Sequence, residues 1–116
     1  MDIKELILKD NYNSFRDKKR VLAIFIFEDG KKKQIKFGQR NAFTFFDGAS
    51  NEKRRAYISR HRPREEWGNI LTRGALARWV LWEETNRSII EKNINRRFGI
   101  KKVKVLITRN KEKENN

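Results

Sequence analysis

The sequence predicts an α+β domain in which an antiparallel sheet packs against three helices. Three observations support this class: an Asp-Gly turn between two strand-like segments, helical periodicity in the middle of the chain, and alternating apolar and basic residues near its end. Strands come first and last, with the helices between them, an order typical of layered α+β folds. The 116 residues suffice for one core, so we expect a single basic domain at 1–110 and a polar tail at 111–116.

The strands are predicted from alternation and from turn chemistry. The Asp-Gly pair separates strands 20–28 and 31–37, because glycine tolerates the positive φ that a tight hairpin turn requires. The unbroken apolar run in 20–28 predicts a strand that is buried on both faces. Segment 101–109 alternates as a last strand, and 3–10 is interpreted as a first strand in preference to a short helix.

Three helices are predicted from spacing and end signals. The first, 51–62, follows the capping residue Ser50 and stops at Pro63, which cannot continue a helix. The others, 72–83 and 86–98, repeat apolar residues at helical intervals. The side chains that we expect in the core are Tyr57, Trp79, Trp82, Ile90, Ile94 and Phe98.

Positive charge dominates the composition. Lysine and arginine number 29 against 15 acidic residues, a formal net charge of +14. This excess is larger than solubility requires, and it favours an anionic partner such as nucleic acid, an acidic protein face or an anionic membrane. The chain has no cysteine, which excludes disulfides and thiolate zinc sites and fits a reducing compartment. The longest apolar run, 21–27, is too short to cross a bilayer, and the N-terminus does not resemble a signal peptide.

Two segments concentrate cations where acids are scarce, a hairpin tip and the first helix. Arginine binds phosphate oxygens in pairs through its planar guanidinium, and such contacts give affinity without sequence choice. The alternative is a solvated face whose arginines pair with glutamates, but 15 acids cannot neutralise 29 cations. The glutamates considered are Glu52, Glu65, Glu66, Glu83 and Glu84. The predicted nucleic-acid contacts are Lys31, Lys32, Lys33, Arg54, Arg55, Arg60, Arg62 and Arg64.

A catalytic constellation is not recognised in the sequence. The one histidine, His61, lacks a recognisable nucleophile and orienting partner, and its preferred interpretation is a structural residue at a helix end. Asp47, Glu65 and Glu66 could bind Mg²⁺ in a nuclease, but neutralisation of neighbouring arginines is preferred for the glutamates. Trp67 either covers the core or stacks on a base or an arginine. We therefore predict no enzymatic activity, no cofactor and no metal site.

The middle of the chain also contains a longer pattern. Its residues are, in order, Asp47, Arg54, Tyr57, Ile58, Arg60, His61, Glu65, Trp67, Thr72, Gly74, Arg78, Trp79, Leu81 and Trp82. This order resembles a family of small basic uncharacterised proteins of nucleocytoplasmic large DNA viruses, over about residues 20–99. The resemblance implies a viral product packaged in the virion and supplies no catalytic role. The chain departs from the pattern in "DGAS" before the first helix and in the extra segment 101–109.

The first hypothesis for function is a non-enzymatic, basic, virion-associated protein that binds nucleic acid, DNA first, through phosphate contacts. Its expected locations are the virion and the host cytoplasm or nucleus during infection. The second is a minor capsid protein that contacts acidic shell proteins or the inner membrane, and the third is a metal-dependent nuclease. Salt separates the first two, because affinity for nucleic acid falls linearly with salt on a log–log scale. Cleavage stimulated by Mg²⁺ would identify the third.

Overall fold

The computed structural model describes residues 2–112, except for the side chains of residues 14 and 15, so most of the predicted tail 111–116 lies outside the described residues. The predicted α+β class is confirmed, with a four-stranded sheet and a layer of helices in this part of the chain. The elements are β1 (Ile3–Asp10), α1 (Ser14–Asp17), β2 (Lys19–Phe27), β3 (Lys32–Gln39), a 3-10 turn (Phe45–Asp47), α2 (Asn51–His61), a second 3-10 turn (Arg62–Arg64), α3 (Arg73–Leu76), a π-helical turn (Ala77–Leu81), α4 (Arg87–Phe98) and β4 (Lys102–Leu106).

The sheet has the strand order β3-β2-β1-β4 and is mixed. The predicted hairpin is present, and β1 pairs antiparallel with β2, which confirms the N-terminal segment as a strand. The prediction of an antiparallel sheet was wrong for β4, which lies parallel to β1, with Lys102 opposite Glu5 and Leu106 opposite Lys9. Helix α4 returns the chain to the end of the sheet at which β1 begins, and a helical connection of this kind permits parallel pairing.

The core lies between one face of the sheet and the helices. Leu6, Leu8 and Phe25 are fully buried on that face, and they belong to one apolar cluster with Ile90 and Ile94 of α4. Four of the six predicted core side chains are buried, and the other two are half-buried but pack against the same cluster. The buried ones are Tyr57, Trp79, Ile90 and Ile94, and the half-buried ones are Trp82 and Phe98.

The prediction that β2 is buried on both faces was wrong. Its odd-numbered residues face the core, whereas Leu22, Ile24 and Ile26 point to the other face and remain partly exposed. The segments that cover the core side of the sheet are α3, the π-helical turn and α4, so an apolar run of this kind does not require a cover on both sides. None of these helices is long and apolar enough to cross a membrane.

The second predicted helix, 72–83, is divided into a short α-helix and a π-helical turn. The Thr72 hydroxyl accepts a hydrogen bond from the Ala75 amide at 3.2 Å, which starts α3 where the sequence indicated. The Trp82 amide then donates to the Ala77 carbonyl, five residues back, at 3.2 Å. The wider turn directs four consecutive side chains, from Arg78 to Leu81, into the interior.

A buried ion pair joins the sheet to the segment that precedes α2 and to the segment that follows β4. Both terminal nitrogens of the Arg20 guanidinium donate to the Asp47 carboxylate, and Arg20 also donates to the Thr108 carbonyl at 3.0 Å. Asp47 additionally accepts bonds from the Thr44 amide and hydroxyl, each at 2.8 Å, and from the Asn110 amide at 2.7 Å. Burial opposes ionisation of Asp47, but these donors outweigh it and hold the pKa of the carboxyl below its ordinary value.

Replacing Asp47 by asparagine should lower the free energy of unfolding at neutral pH by about 3 kcal/mol, because Arg20 would remain buried without a counter-charge. The stabilisation from a carboxyl with a depressed pKa is present above the ordinary value of 3.8 and is lost as the pH falls through the lower native value. Urea unfolding between pH 7 and pH 3 should therefore show a smaller acid-induced loss in Asp47→Asn than in the unmodified protein. The exposed Glu28→Gln control should match the unmodified protein, and equal acid sensitivity in Asp47→Asn would contradict this assignment.

Candidate nucleic-acid interface

Residues 51–64, here called the basic segment, consist of α2 and the 3-10 turn that follows it. The Ser50 hydroxyl accepts a hydrogen bond from the Lys53 amide at 3.2 Å, so α2 begins where the sequence predicted. Pro63 lies in the 3-10 turn and prevents continuation of the helix. Tyr57 is the one buried residue of α2, so nearly the whole helix surface faces solvent.

An aromatic stack attaches this exposed helix to the protein. The Tyr57 ring lies between His61, with ring centroids 4.1 Å apart, and Trp82, with centroids 4.4 Å apart and planes 7° from parallel. Burial raises the pKa of Tyr57 to about 12, and the Glu65 carboxylate acts in the same direction. The phenol therefore stays neutral at physiological pH, and its ring acts as the apolar contact of α2.

A shared carboxylate forms the second attachment. The Glu83 carboxylate accepts a hydrogen bond from Arg54 of α2 and another from Arg78 of the π-helical turn, the latter at 2.7 Å. Arg54 also lies over the Phe45 ring, 5.4 Å from its centroid. Arg54 was predicted to contact nucleic acid, and the structure places it in an internal ion pair instead of free in solvent.

Arg78 and Arg97 make cation–π contacts with Trp67 and Trp79. The Arg78 guanidinium is 4.5 Å from the centroid of Trp79 and 5.2 Å from that of Trp67. Arg97 covers Trp79 at 3.8 Å, and the Trp79 indole nitrogen donates to the Trp67 carbonyl at 2.8 Å. Of the alternatives for Trp67, the structure therefore shows packing against the core and against an arginine.

Three of the candidate acid and base residues, His61, Glu65 and Asp47, have internal partners, whereas the Glu66 side chain is exposed and forms no salt bridge in the described part of the chain. The His61 ring nitrogen Nδ1 is 3.5 Å from the Glu65 carboxylate. A side chain at Gly74 would meet that same carboxylate at 1.7 Å, so glycine is required for Glu65 to lie where it does. The Asp47 carboxylate accepts hydrogen bonds from the donors described above. No cluster of three metal-binding side chains occurs within residues 2–112.

Four arginines of the basic segment differ from those in the interior. Arg55, Arg60, Arg62 and Arg64 are exposed and form no salt bridge with a carboxylate in the described part of the chain. In contrast, the interior arginines bind carboxylates or backbone carbonyls, as Arg87 does with its two bonds to the Ile107 carbonyl.

The free arginines lie on two sides of α2. Arg55 and Arg62 border a groove of about 380 Å³ whose floor includes Ile58. Arg60 lies on the other side, where it borders a cavity of about 320 Å³ together with the Tyr57 stack. A polyanion in contact with arginines on both sides would have to present phosphates to both, as the two strands that border a major groove of duplex DNA do.

The predicted lysines at the hairpin tip form a separate basic site. Lys31, Lys32 and Lys33 are exposed and, within the described residues, pair with no carboxylate. The Arg60 cavity is bordered by Gly38 and Gln39, at the far end of β3. At roughly 3.3 Å per residue, the length of β3 separates the two sites by about 23 Å. The structure therefore does not bring the predicted residues into one compact patch.

Comparison with known proteins points to an uncharacterised viral group. Residues 12–61 match the model of a family of unknown function, DUF5754. The uncharacterized protein L851 of Acanthamoeba polyphaga mimivirus is 43% identical over 47 residues, which are 40% of this chain and 47% of that protein. The chain thus spans about half the length of this relative. No solved structure matches the chain.

The family match covers only part of the longer sequence pattern. It includes Asp47, Arg54 and the residues up to His61, and it ends before Glu65 and Trp67. The viral and uncharacterised character of the resemblance is supported, while the full motif stays a prediction. Its members nevertheless contact one another in this fold, as the Tyr57–Trp82 stack and the Arg78–Trp79 pair show.

Glu83 is one of the five glutamates considered as arginine partners, but the sequence did not single it out as the residue that fixes the basic segment. Glu83 and Arg54 are 29 positions apart, and Glu84 beside it has an identical side chain, so no local signal distinguishes the two. One sequence signal is that Glu83 directly follows the buried helical residues, where an acidic side chain can reach a buried arginine.

Replacing Glu83 by glutamine should destabilise the protein by about 2–3 kcal/mol, because Arg78 would lose its carboxylate partner in a buried setting. The attachment of α2 should loosen as well, so amide hydrogens of α2 should exchange faster than those of α4. Urea unfolding followed by tryptophan fluorescence, together with hydrogen exchange, tests both effects. The matched variant is Glu84→Gln, because within residues 2–112 the Glu84 carboxylate accepts hydrogen bonds only from the adjacent Thr85. Equal stability of the two variants would refute the role of Glu83.

Proposed function

We propose that this protein binds nucleic acid, with double-stranded DNA as the expected form, through phosphate contacts made by the basic segment. The observation that supports the proposal is the division of the arginines into two groups. Interior arginines have partners within the chain, whereas Arg55, Arg60, Arg62 and Arg64 are exposed and without a carboxylate in the described residues. Unpaired, solvated guanidinium groups are available for pairs of phosphate oxygens.

The rigid attachment of α2 supports this role. Its helix is oriented by the Tyr57–Trp82 stack and by Glu83, so the free arginines project from a fixed support. Less side-chain and backbone entropy is then lost on binding than for a disordered basic tail. Binding through phosphates would be largely independent of base sequence, because phosphate contacts position a protein without reading bases.

The hairpin tip supplies a second group of cations for the same polyanion. Lys31, Lys32 and Lys33 lie about 23 Å from Arg60 along β3, which corresponds to roughly seven base pairs of duplex DNA at 3.4 Å each. A duplex that lay along the protein could contact both sites. Similarity to a viral protein supports a setting in which a viral genome is the polyanion, and no catalytic step is part of the proposal.

A gel-shift or anisotropy titration of a short DNA duplex across a salt series tests the proposal. The four arginines of the basic segment would neutralise about four phosphates, so the logarithm of the association constant should fall against the logarithm of salt with a slope of at least about −3.6. Contacts by the three hairpin-tip lysines would steepen the slope toward about −6.3. Between 50 and 200 mM salt, affinity should therefore fall by at least roughly 150-fold. The variant Arg62→Gln/Arg64→Gln should weaken binding and make the slope shallower by about 2.

The control removes two exposed lysines outside the proposed interface, as Lys92→Gln/Lys101→Gln. This variant loses the same charge, so it should retain the slope of the unmodified protein apart from a small loss of long-range attraction. An arginine variant and a lysine variant with equal affinities and slopes would show that only net charge matters, and the proposed interface would be wrong. Absence of binding at low salt would remove the function itself.

A further inference from the structure

A second surface, independent of the basic segment, lies on the side of the sheet that faces away from the helices. The strand register brings its side chains together, since Ile24 of β2 lies opposite Ile7 of β1, and Leu22 opposite Lys9. This surface is here called the outer face. Its apolar residues are Ile7, Leu22, Ile24, Ile26 and Leu106.

The outer face is not part of the core. None of its five apolar residues packs against the core cluster, although partly exposed residues elsewhere, such as Ile35 and Leu71, do so. Leu106 is 58% exposed at one edge, and Tyr12, 86% exposed, lies beside Lys9, whose ammonium is 5.8 Å from the centre of its ring. Two of the most exposed large apolar side chains in residues 2–112 thus lie at the same end of this face.

The cations of the outer face are all lysines, in contrast to the arginines of the basic segment. The register places five lysines among the apolar residues, namely Lys9, Lys32, Lys36, Lys102 and Lys104, and Glu5 is the acid among the residues that pair with them across the strands. Lys32 is also one of the three hairpin-tip lysines, so the two proposed contacts share it, and none of the variants below alters it. Lys36 bonds Asp17 at 2.8 Å, which holds the pKa of that carboxyl at about 2. The other four lysines form no salt bridge with a carboxylate within the described residues.

This chemistry identifies the kind of partner. A second copy of the chain would oppose lysines to lysines, and like charges brought together repel. Lysine is depleted in protein interfaces, and bases would find no aromatic platform among the isoleucines and leucines. An anionic bilayer suits the face, because lysine side chains extend their ammonium groups to lipid phosphates while their stems and the aliphatic residues contact the apolar boundary. A tyrosine at the edge fits the same interfacial position.

We propose that the outer face binds the surface of an anionic membrane. The surface potential of such a membrane attracts each nearby lysine, and the contact needs no bilayer-spanning helix. The basic segment belongs to the helical side of the sheet, so a membrane on the outer face would leave it accessible. The protein could then connect nucleic acid to a lipid surface.

Co-sedimentation of the full chain with vesicles tests the proposal, using phosphatidylcholine alone or with about 30% phosphatidylserine. The protein should sediment with the anionic vesicles and not with the neutral ones. Lys9→Gln/Lys104→Gln should weaken that binding roughly 30-fold, because two lysines are removed from the contact. Arg55→Gln/Arg62→Gln loses the same charge on the helical side and should bind vesicles within about threefold of the unmodified protein.

The apolar contribution is tested with a second matched pair. Leu106→Ser should weaken vesicle binding several-fold, whereas Ile89→Ser, which alters a side chain that is 42% exposed on α4, should leave it unchanged. Because the altered side chains are at the surface, circular dichroism should show the same fold in all four variants.

Three results would overturn the proposal. The first is sedimentation with neither vesicle or with both equally. The second is equal weakening by the lysine and arginine pairs, which would indicate net charge alone. The third is a loss of duplex DNA binding by Lys9→Gln/Lys104→Gln as large as its loss of vesicle binding, which would assign the outer face to nucleic acid. The DNA titration of the arginine variants is separate, so failure of one function does not imply failure of the other.

Discussion

The buried carboxylate of Asp47 is the interaction on which the arrangement of the chain depends. It binds Arg20 of β2, the Thr44 backbone and the Asn110 amide, and so joins the sheet to the segment before α2 and to the segment after β4. None of these donors is local in sequence except Thr44. A neutral side chain of the same shape could accept fewer of these bonds and would leave a buried guanidinium unpaired, which is why the charge matters as well as the shape.

The arginines of this chain perform two physically different tasks, and the distinction explains how a protein with a net charge of +14 can be compact. Buried or half-buried arginines are stabilised by carboxylates, carbonyls and aromatic rings, as Arg78 is by Glu83 and Trp79. The remaining cations are kept at the surface, where water and salt reduce their mutual repulsion. The helix α2 exposes mainly guanidinium groups with little apolar surface, whereas the outer face combines ammonium groups with aliphatic side chains. The two proposed partners differ for that reason.

Much of the candidate site could be predicted from sequence, because the start and end of α2 are encoded by nearby residues. Ser50 and Pro63 mark the two ends, and the density of arginines between them identified an exposed basic helix. The ion pair between Arg54 and Glu83 could not be predicted, because the two residues are distant in the chain. The distance between the hairpin tip and the basic segment could not be predicted either, because it depends on which end of β3 lies beside α2.

The sequence by itself determined the types of the four strands and three longer helical segments, most of their boundaries and the greater part of the core, because capping, turn chemistry and periodicity are local properties of a chain. Only the tertiary structure decided the parallel pairing of β4, the π-helical turn and the open side of β2. An apolar strand has the same composition whether one or both of its faces are covered. Whether a face is covered depends on how many helices the rest of the chain can place against the sheet, and here α3, the π-helical turn and α4 cover one face.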